Sequence, residues 1–299
     1  MRDVSHKPTT LRRARAAAIL TASDATIEAV LEGRVPKGNP LEVAKAAAVM
    51  AAKKTTEWIP YCHNIPIEFV GVQYRLEEGR IEIEVAVTSI AKTGVEMEAM
   101  TAAAAAALTI YDMLKMLDED MEILSVRLLE KTGGKSDVRS TRPWKAGVLT
   151  VSDRASAGEM EDLAGPALLE WMRDWGAESV EAALCADEPD IIQAQIRAWS
   201  DSGLDLVLVT GGTGVGPRDR TPEAVLPLLD LRLEGIEETF RRYGQDRIRT
   251  AMLSRTVAGV RGKTVVVALP GSPASCEDAL WAIFPGVLHA FDMLGGGGH

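Results

Sequence analysis

Between Lys92 and Lys115 the chain reads KTGVEMEAMTAAAAAALTIYDMLK, with ionisable residues at both ends and a middle dominated by alanine. Alanine loses the least entropy on entering a helix, so the run from Ala99 to Ala107 predicts one, opened near Gly94. Asp112 and Lys115, three residues apart, share its face. Fourteen residues separate Glu98 from Asp112, which leaves those carboxylates about 40° apart around the axis and roughly 21 Å apart along it. One helix thus presents charge to two separate places. The same pattern also describes a core helix with solvated ends and an ordinary surface ion pair. Lys37, Lys92 and Lys115 add a second possibility, because a lysine made less basic by neighbouring cations works as a general acid or base. His63 lies beside Cys62 in a loop between Pro60 and Pro66. With no second His or Cys at ligand spacing, hydrogen bonding or proton transfer suits it better than metal binding.

Farther along, Thr210-Gly-Gly-Thr-Gly-Val-Gly-Pro-Arg-Asp219 offers backbone N–H groups to an anion and a carboxylate, Asp219, that can hold Mg²⁺ beside phosphate. It is not a dinucleotide fingerprint, since Pro217 or Asp219 occupies the position where G-x-G-x-x-G needs its last glycine. Gly134-Lys135-Ser136 is not a P-loop either, because Leu129 stands where the opening glycine is required. Lys131 and Lys135, around paired glycines, remain candidates for binding phosphate.

These residues need elements to hold them. Asn39-Pro40 predicts an N-cap and first turn for a helix over 41–54. The alternation from Val70 to Leu76 and from Ile81 to Val87, about the turn Glu77-Glu-Gly-Arg80, predicts a hairpin with one buried face. With the alanine helix and a strand around Ile123 to Leu128, two helices, a hairpin, a helix and a strand describe an α+β sandwich. Residues 138–144 read as a linker. Beyond it, apolar strands at 146–151, 204–209 and 264–269 alternate with helices at 163–175 and 189–199, the grammar of a doubly wound, mostly parallel sheet. Those strands end in Ser152 to Gly158, Thr210 to Asp219 and Pro270 to Ser275, which should meet at one sheet edge, where such folds bind ligands.

Composition narrows the function classes. The 299 residues exceed one ordinary core, so two domains are expected. Lys plus Arg against Asp plus Glu is 18 to 20 over residues 1–140 and 15 to 23 over 141–299, and the second part holds only Lys145 and Lys263 as lysines. An acidic chain without a basic run is not built for nucleic acid. Three scattered cysteines and no signal or membrane segment predict a soluble, cytoplasmic protein. Gly295 to His299 reads as a flexible tail.

Residues 1–137 resemble cyclic pyranopterin monophosphate synthase, the MoaC family of molybdenum cofactor biosynthesis, through DVS-x-K, T-x-R-x-A-R-A, KG, IP-x-CH, KTGVEMEA, TIYDMLK and LLEKTGGKS. The resemblance implies a ferredoxin-like α+β sandwich that converts 3′,8-cyclo-7,8-dihydro-GTP to cyclic pyranopterin monophosphate and pyrophosphate. It also implies Lys37 and Lys115 as the principal lysines, Asp112 orienting Lys115, and His63 acting beside them. Arg12, Cys62, Glu96, Met97 and Glu98 would line the pocket, and Lys131 and Lys135 would meet the triphosphate. Asn39 and Asn64 stand where the family usually has Asp and Pro, which predicts local adjustment.

Residues 145–294 resemble the MogA/MoaB family of molybdopterin adenylyltransferases through VSDRASAG, TGGTG, PRDRTPEA, AMLSR and PGSP. The resemblance implies transfer of AMP from ATP to molybdopterin, with Asp187 and Asp219 as functional aspartates and Mg²⁺ held at Asp219. Thr210, Gly211, Gly212, Thr213, Gly214 and Gly216 would hold phosphate, while Ser152, Asp153 and Ser272 border the pterin or nucleotide. The alternative is a non-catalytic molybdopterin-binding or oligomerisation module. Both families imply homo-oligomers with shared pockets, and a hexamer suits the two together. Their reactions are not consecutive, since sulfur insertion falls between them, so no channelling is expected.

Overall fold

The computed structural model describes residues 1–134 and 142–296. It divides into two compact units, Met1–Asp137 and Val138–His299. Lys135, most of the segment read as a linker and the last three residues lie outside the described residues.

In the first unit the order is β1 (Thr10–Thr21), α1 (Asp24–Leu31), α2 (Pro40–Lys53), α3 (Thr55–Trp58), β2 (Phe69–Glu77), β3 (Arg80–Ala91), α4 (Glu96–Leu114) and β4 (Ile123–Thr132). The strands form one sheet in the order β2-β3-β1-β4, antiparallel throughout. The hairpin turns at Gly79, whose φ of 74° suits glycine. Ile81, Ile83, Val85 and Val87 of β3 all point into the core, as their alternation requires. Residues 10–21 gave no strand signal, yet β1 is central. Its Ala14, Ala16 and Ala18 share one core with Ala99, Ala102, Ala103 and Ala106 of α4. Small side chains on both surfaces let helix and sheet approach closely, and that packing outweighs alanine's own helical preference.

The second unit runs β5 (Lys145–Val151), α5 (Asp153–Ser156), α6 (Ala164–Asp174), β6 (Ser179–Cys185), α7 (Pro189–Asp201), β7 (Leu206–Thr210), α8 (Thr221–Val225), β8 (Leu231–Arg232), α9 (Glu234–Gln245), β9 (Val257–Arg261), β10 (Thr264–Leu269), α10 (Pro273–Ile283) and α11 (Gly286–Leu294). Its six-stranded sheet has the order β6-β5-β7-β10-β9-β8. β6, β5, β7 and β10 pair in parallel, while β9 pairs antiparallel with both β10 and β8, so the sheet is mixed. The cause is the tight turn at Gly262, φ 60°, which returns the chain directly from β9 into β10 without a crossover helix. β5, β7 and β10 lie side by side, so the loops after them leave from one edge.

Candidate functional site

Lys37 follows from its turn. Gly38, at φ 93°, lets the chain reverse, and Asn39 then caps α2 by accepting from the N–H groups of Leu41 (3.0 Å) and Glu42 (3.3 Å). Lys37 therefore projects beside the C-terminal end of α4. Its Nζ donates to the Asp112 carbonyl (2.7 Å) and to Asp112 Oδ2 (3.0 Å), while Lys115 Nζ lies 2.7 Å from Asp112 Oδ1. One carboxylate thus holds two ammonium groups. Hydrogen bonds from Lys115 and then Lys37 keep the Asp112 carboxyl at about 2, and Asp112 in turn raises Lys115. Lys115 is therefore more basic than a free lysine, opposite to the expectation that neighbouring cations depress it. Lys92 does not join this group, since its Nζ donates to the Ser5 carbonyl (3.1 Å) at the other end of α4.

That other end gathers the remaining expected residues. Arg12 Nε donates to the Ala91 carbonyl (3.3 Å) and Nη2 to that of Lys92 (3.4 Å), and its guanidinium lies where a Cβ on Gly134 would have to go. Lys131 Nζ meets Glu96 Oε1 at 3.1 Å. The Glu96 carboxylate folds over Gly94, close to where a Cβ would stand. Glu98 is only 4% exposed, and burial raises its carboxyl; burial also raises the Cys62 thiol, with the Glu98 charge adding to the shift. Met97 is exposed. His63 Nε2 donates to the Arg2 carbonyl (2.8 Å), tying the N-terminal segment to this loop. Asn64 is exposed. The nineteen-residue α4 accordingly separates two groups of candidate residues, Lys37, Asp112 and Lys115 at one end and Arg12, Glu96, Glu98 and Lys131 at the other.

In the second unit the loops after β5, β7 and β10 line one cleft of about 840 Å³. Asp187, only 5% exposed, closes its floor, with its backbone N–H donating to Asp153 Oδ1 (2.9 Å) and its carboxylate accepting from the Arg220 N–H (3.3 Å). Burial raises the Asp187 carboxyl, the Arg220 N–H opposes this, and the charges of Asp153 and Asp219 reinforce it. Gly212, φ 60°, rests against Asp187, and a Cβ there would collide with that carboxylate and with the Thr221 hydroxyl. Gly211, φ 104°, passes equally close to the Val151 carbonyl. Asp219 Oδ2 accepts the Gly216 N–H (2.7 Å), and a Cβ on Gly214 would also crowd it, so this glycine spacing wraps the loop around its own aspartate.

Other expected residues hold the frame. Thr210 is fully buried, and its hydroxyl donates to the Pro270 carbonyl (2.8 Å), joining the β7 and β10 loops. Thr213 is buried and its carbonyl accepts from the Arg255 N–H. Ser152 and Ser272 are N-caps of α5 and α10. Asp153 is lowered by Arg218, a residue the sequence reading passed over. Arg218 spans Asp153 (3.0 and 3.2 Å) and Glu188 (2.9 Å) at the cleft. Thr221 was also missed, though its hydroxyl is buried with no hydrogen-bond partner among the described residues. The one available signal was their position inside PRDRTPEA, Arg218 next to Asp219 and Thr221 two residues beyond it.

No cluster of three or more His, Cys, Asp or Glu suited to a metal occurs among the described residues. Asp187 and Asp219 nevertheless interact electrostatically, and two hard carboxylates fit a Mg²⁺ ion that takes its other ligands from phosphate and water. Among the described residues no helix is long and apolar enough to cross a membrane.

Comparison with known proteins agrees with this division. Residues 1–134 match the MoaC family, and residues 147–290 match the model described as a probable molybdopterin binding domain. A molybdenum cofactor biosynthesis bifunctional protein of Chlorobaculum tepidum is 42% identical over 299 residues, covering 100% of this chain and 96% of its own. The protein of the same description from Synechococcus elongatus is 40% identical, covering 100% of this chain and 98% of its own. A cyclic pyranopterin monophosphate synthase of Aquifex aeolicus is 45% identical over 135 residues, which is 45% of this chain and 53% of that protein. Similarity that runs the full length of both chains, through both units, places this protein in the family of bifunctional molybdenum cofactor biosynthesis proteins.

Proposed function

We propose that the first unit converts 3′,8-cyclo-7,8-dihydro-GTP to cyclic pyranopterin monophosphate, and that the second transfers AMP from ATP to molybdopterin. The observation that carries the first assignment is the Lys37–Asp112–Lys115 group. As the α-phosphate closes onto a substrate hydroxyl, the bond to the β-phosphate breaks and negative charge builds on the departing pyrophosphate. Lys115, kept protonated by Asp112, is a cation and proton donor for those oxygens, and Lys37 adds a second cation. The βαββαβ order and the sheet order β2-β3-β1-β4 support reading this unit as a ferredoxin-like sandwich. Replacing Lys115 by Ala is expected to lower pyrophosphate release from the cyclised dihydro-GTP by about a hundredfold or more. Equal rates in wild type and variant would sink the assignment.

A complete first site also requires a second copy of the chain. The two groups of candidate residues stand at opposite ends of α4, too far apart for one small substrate. Met97, Met100, Ala104, Leu108 and Tyr111 recur along that helix at helical spacing and are exposed or partly exposed. Antiparallel packing of this stripe on its counterpart brings the Lys115 end of one chain to the Glu96 end of the other, twice, by one twofold axis. This supports a homo-oligomer, and a hexamer remains the proposed form.

For the second unit the supporting observation is the convergence of Asp187, Asp219 and the glycine-rich loop in one cleft. The molybdopterin phosphate attacks the α-phosphorus of ATP, the bond to the β-phosphate breaks, and pyrophosphate leaves. Backbone N–H groups between Gly212 and Val215 position the phosphates, whereas the N–H groups of Gly211 and Gly216, expected to share in this, donate to the Leu269 carbonyl and to Asp219 Oδ2. Bound Mg²⁺ would neutralise phosphate charge, held by Asp219 with Asp187 beside it. Asp219→Ala should abolish ATP-dependent transfer while leaving pterin binding in place. Wild-type protein that binds pterin and never consumes ATP would instead establish the non-catalytic module.

A further inference from the structure

Part of the cleft wall has no role in phosphate transfer. Ser275 and Asp278 line the cleft from one face of α10, three residues apart and following the cap at Ser272. Asp278 Oδ1 stands 3.9 Å from Arg247 Nε, beyond hydrogen-bond reach. Arg247 is itself engaged by Tyr243, donating from Nη1 to its carbonyl (2.7 Å) and lying 3.3 Å above the ring centroid. The Asp278 carboxylate thus keeps its acceptor capacity, with no hydrogen bond reaching it among the described residues. α9 packs against α10, and its Phe240 and Gly244, with Ile248, Ala251 and Leu253 beyond, line the same cleft. Ile248 and Leu253 are 46% and 54% exposed, an apolar surface left open to whatever enters.

An apolar wall beside a carboxylate that pairs at 3.9 Å with Arg247 but accepts no hydrogen bond among the described residues suits a flat heteroaromatic ring that offers two adjacent N–H donors. We propose that Asp278 recognises the 2-amino-4-oxo edge of the pterin, accepting hydrogen bonds from the exocyclic amino group and from N3–H. Adenine fits this position poorly. Its amino donor lies beside ring nitrogens that accept, so a carboxylate would gain one hydrogen bond and face a repulsive lone pair. The nucleotide is then left with the glycine-rich, Asp219 part of the cleft. The assignment rests on the reading of this unit as one that takes both a pterin and ATP.

The test uses the full chain with 6-hydroxymethylpterin and its 2-oxo counterpart 6-hydroxymethyllumazine, each titrated by fluorescence, and ATP with Mg²⁺ titrated by calorimetry. Wild type should bind the pterin roughly ten- to a hundredfold more tightly than the lumazine, the worth of hydrogen bonds to a charged group. Asp278→Asn should lose that preference, chiefly through weaker binding of the pterin, while binding ATP as wild type does. A variant that keeps the preference overturns the proposal, as does one that loses ATP binding as well, because Asp278 would then be supporting the fold. Wild-type protein that binds ATP but neither pteridine overturns the adenylyl-transfer reading along with it.

Discussion

Asp112 and Glu98 are carboxylates on one helix with opposite electrostatic settings. Asp112 is exposed between two lysines, and its carboxyl is held at about 2, so its pairing with Lys37 and Lys115 persists through neutral pH and on the acid side is lost only as the carboxylate is protonated. Glu98 is buried, and its carboxyl is raised because removing the charged form from water is costly. A raised carboxyl favours the folded state below its unfolded value, and that advantage disappears as pH rises through the folded value. Glu98→Gln should therefore be more stable than wild type to urea at pH 8, with the difference closing near pH 4. Equal midpoints at both values would show that Glu98 is not desolvated. The same burial suits a residue kept for a site and not for the fold.

At the scale of elements, the glycine-rich loop and the α2 turn use glycine for different reasons. Gly38 needs only its left-handed backbone, because nothing lies within 4 Å of a Cβ there. Gly212 needs both its φ of 60° and the absence of a side chain, since Asp187 and Thr221 occupy that space. Gly38→Ala should cost about 1 kcal/mol. Gly212→Ala should cost roughly 2–4 kcal/mol, adding overpacking to backbone strain, and should impair ATP binding by displacing Asp187. Chemical denaturation of the two variants checks the order, and equal losses would mean that the loop relaxes around the new methyl group. The alanine surfaces of β1 and α4 likewise set the position of α4 through close approach, and with it the places where its charged ends emerge.

For the whole molecule, two compact units carry two separate sets of candidate residues. The division of one set between the ends of α4 has a quantitative consequence. Lys115→Ala and Lys131→Ala chains, each inactive in pyrophosphate release, should recover about one quarter of wild-type activity when denatured together and refolded as an equal mixture. In a twofold pair, half of the random assemblies are mixed, and each mixed pair has one site free of both substitutions. Absence of recovery would mean that each chain completes its own site. Lys131 is exposed, and among the described residues its ammonium meets Glu96 alone, so its loss should leave the fold intact.

Much of this was readable along the chain. The α2 cap, the β2–β3 hairpin, the α4 helix and the strands β5, β7 and β10 follow from local periodicity and capping, because neighbouring residues alone determine them. Family motifs marked both units. The alanine-rich β1 strand was not legible, because its conformation depends on α4, nearly 90 residues away. Nor was the antiparallel close of the second sheet, which depends on how β9 folds back on β10. Within the sites, spacing paired Asp112 with Lys115, but only the packing of α2 on α4 brought Lys37 to the same carboxylate and sent Lys92 elsewhere. Arg218, Thr221 and Asp278 acquire meaning only where separate loops converge. The sequence by itself determined the local elements and the residue types available for chemistry, since both depend on near neighbours. The tertiary structure alone decided which charges meet, because that requires long-range packing of elements whose own formation does not specify it.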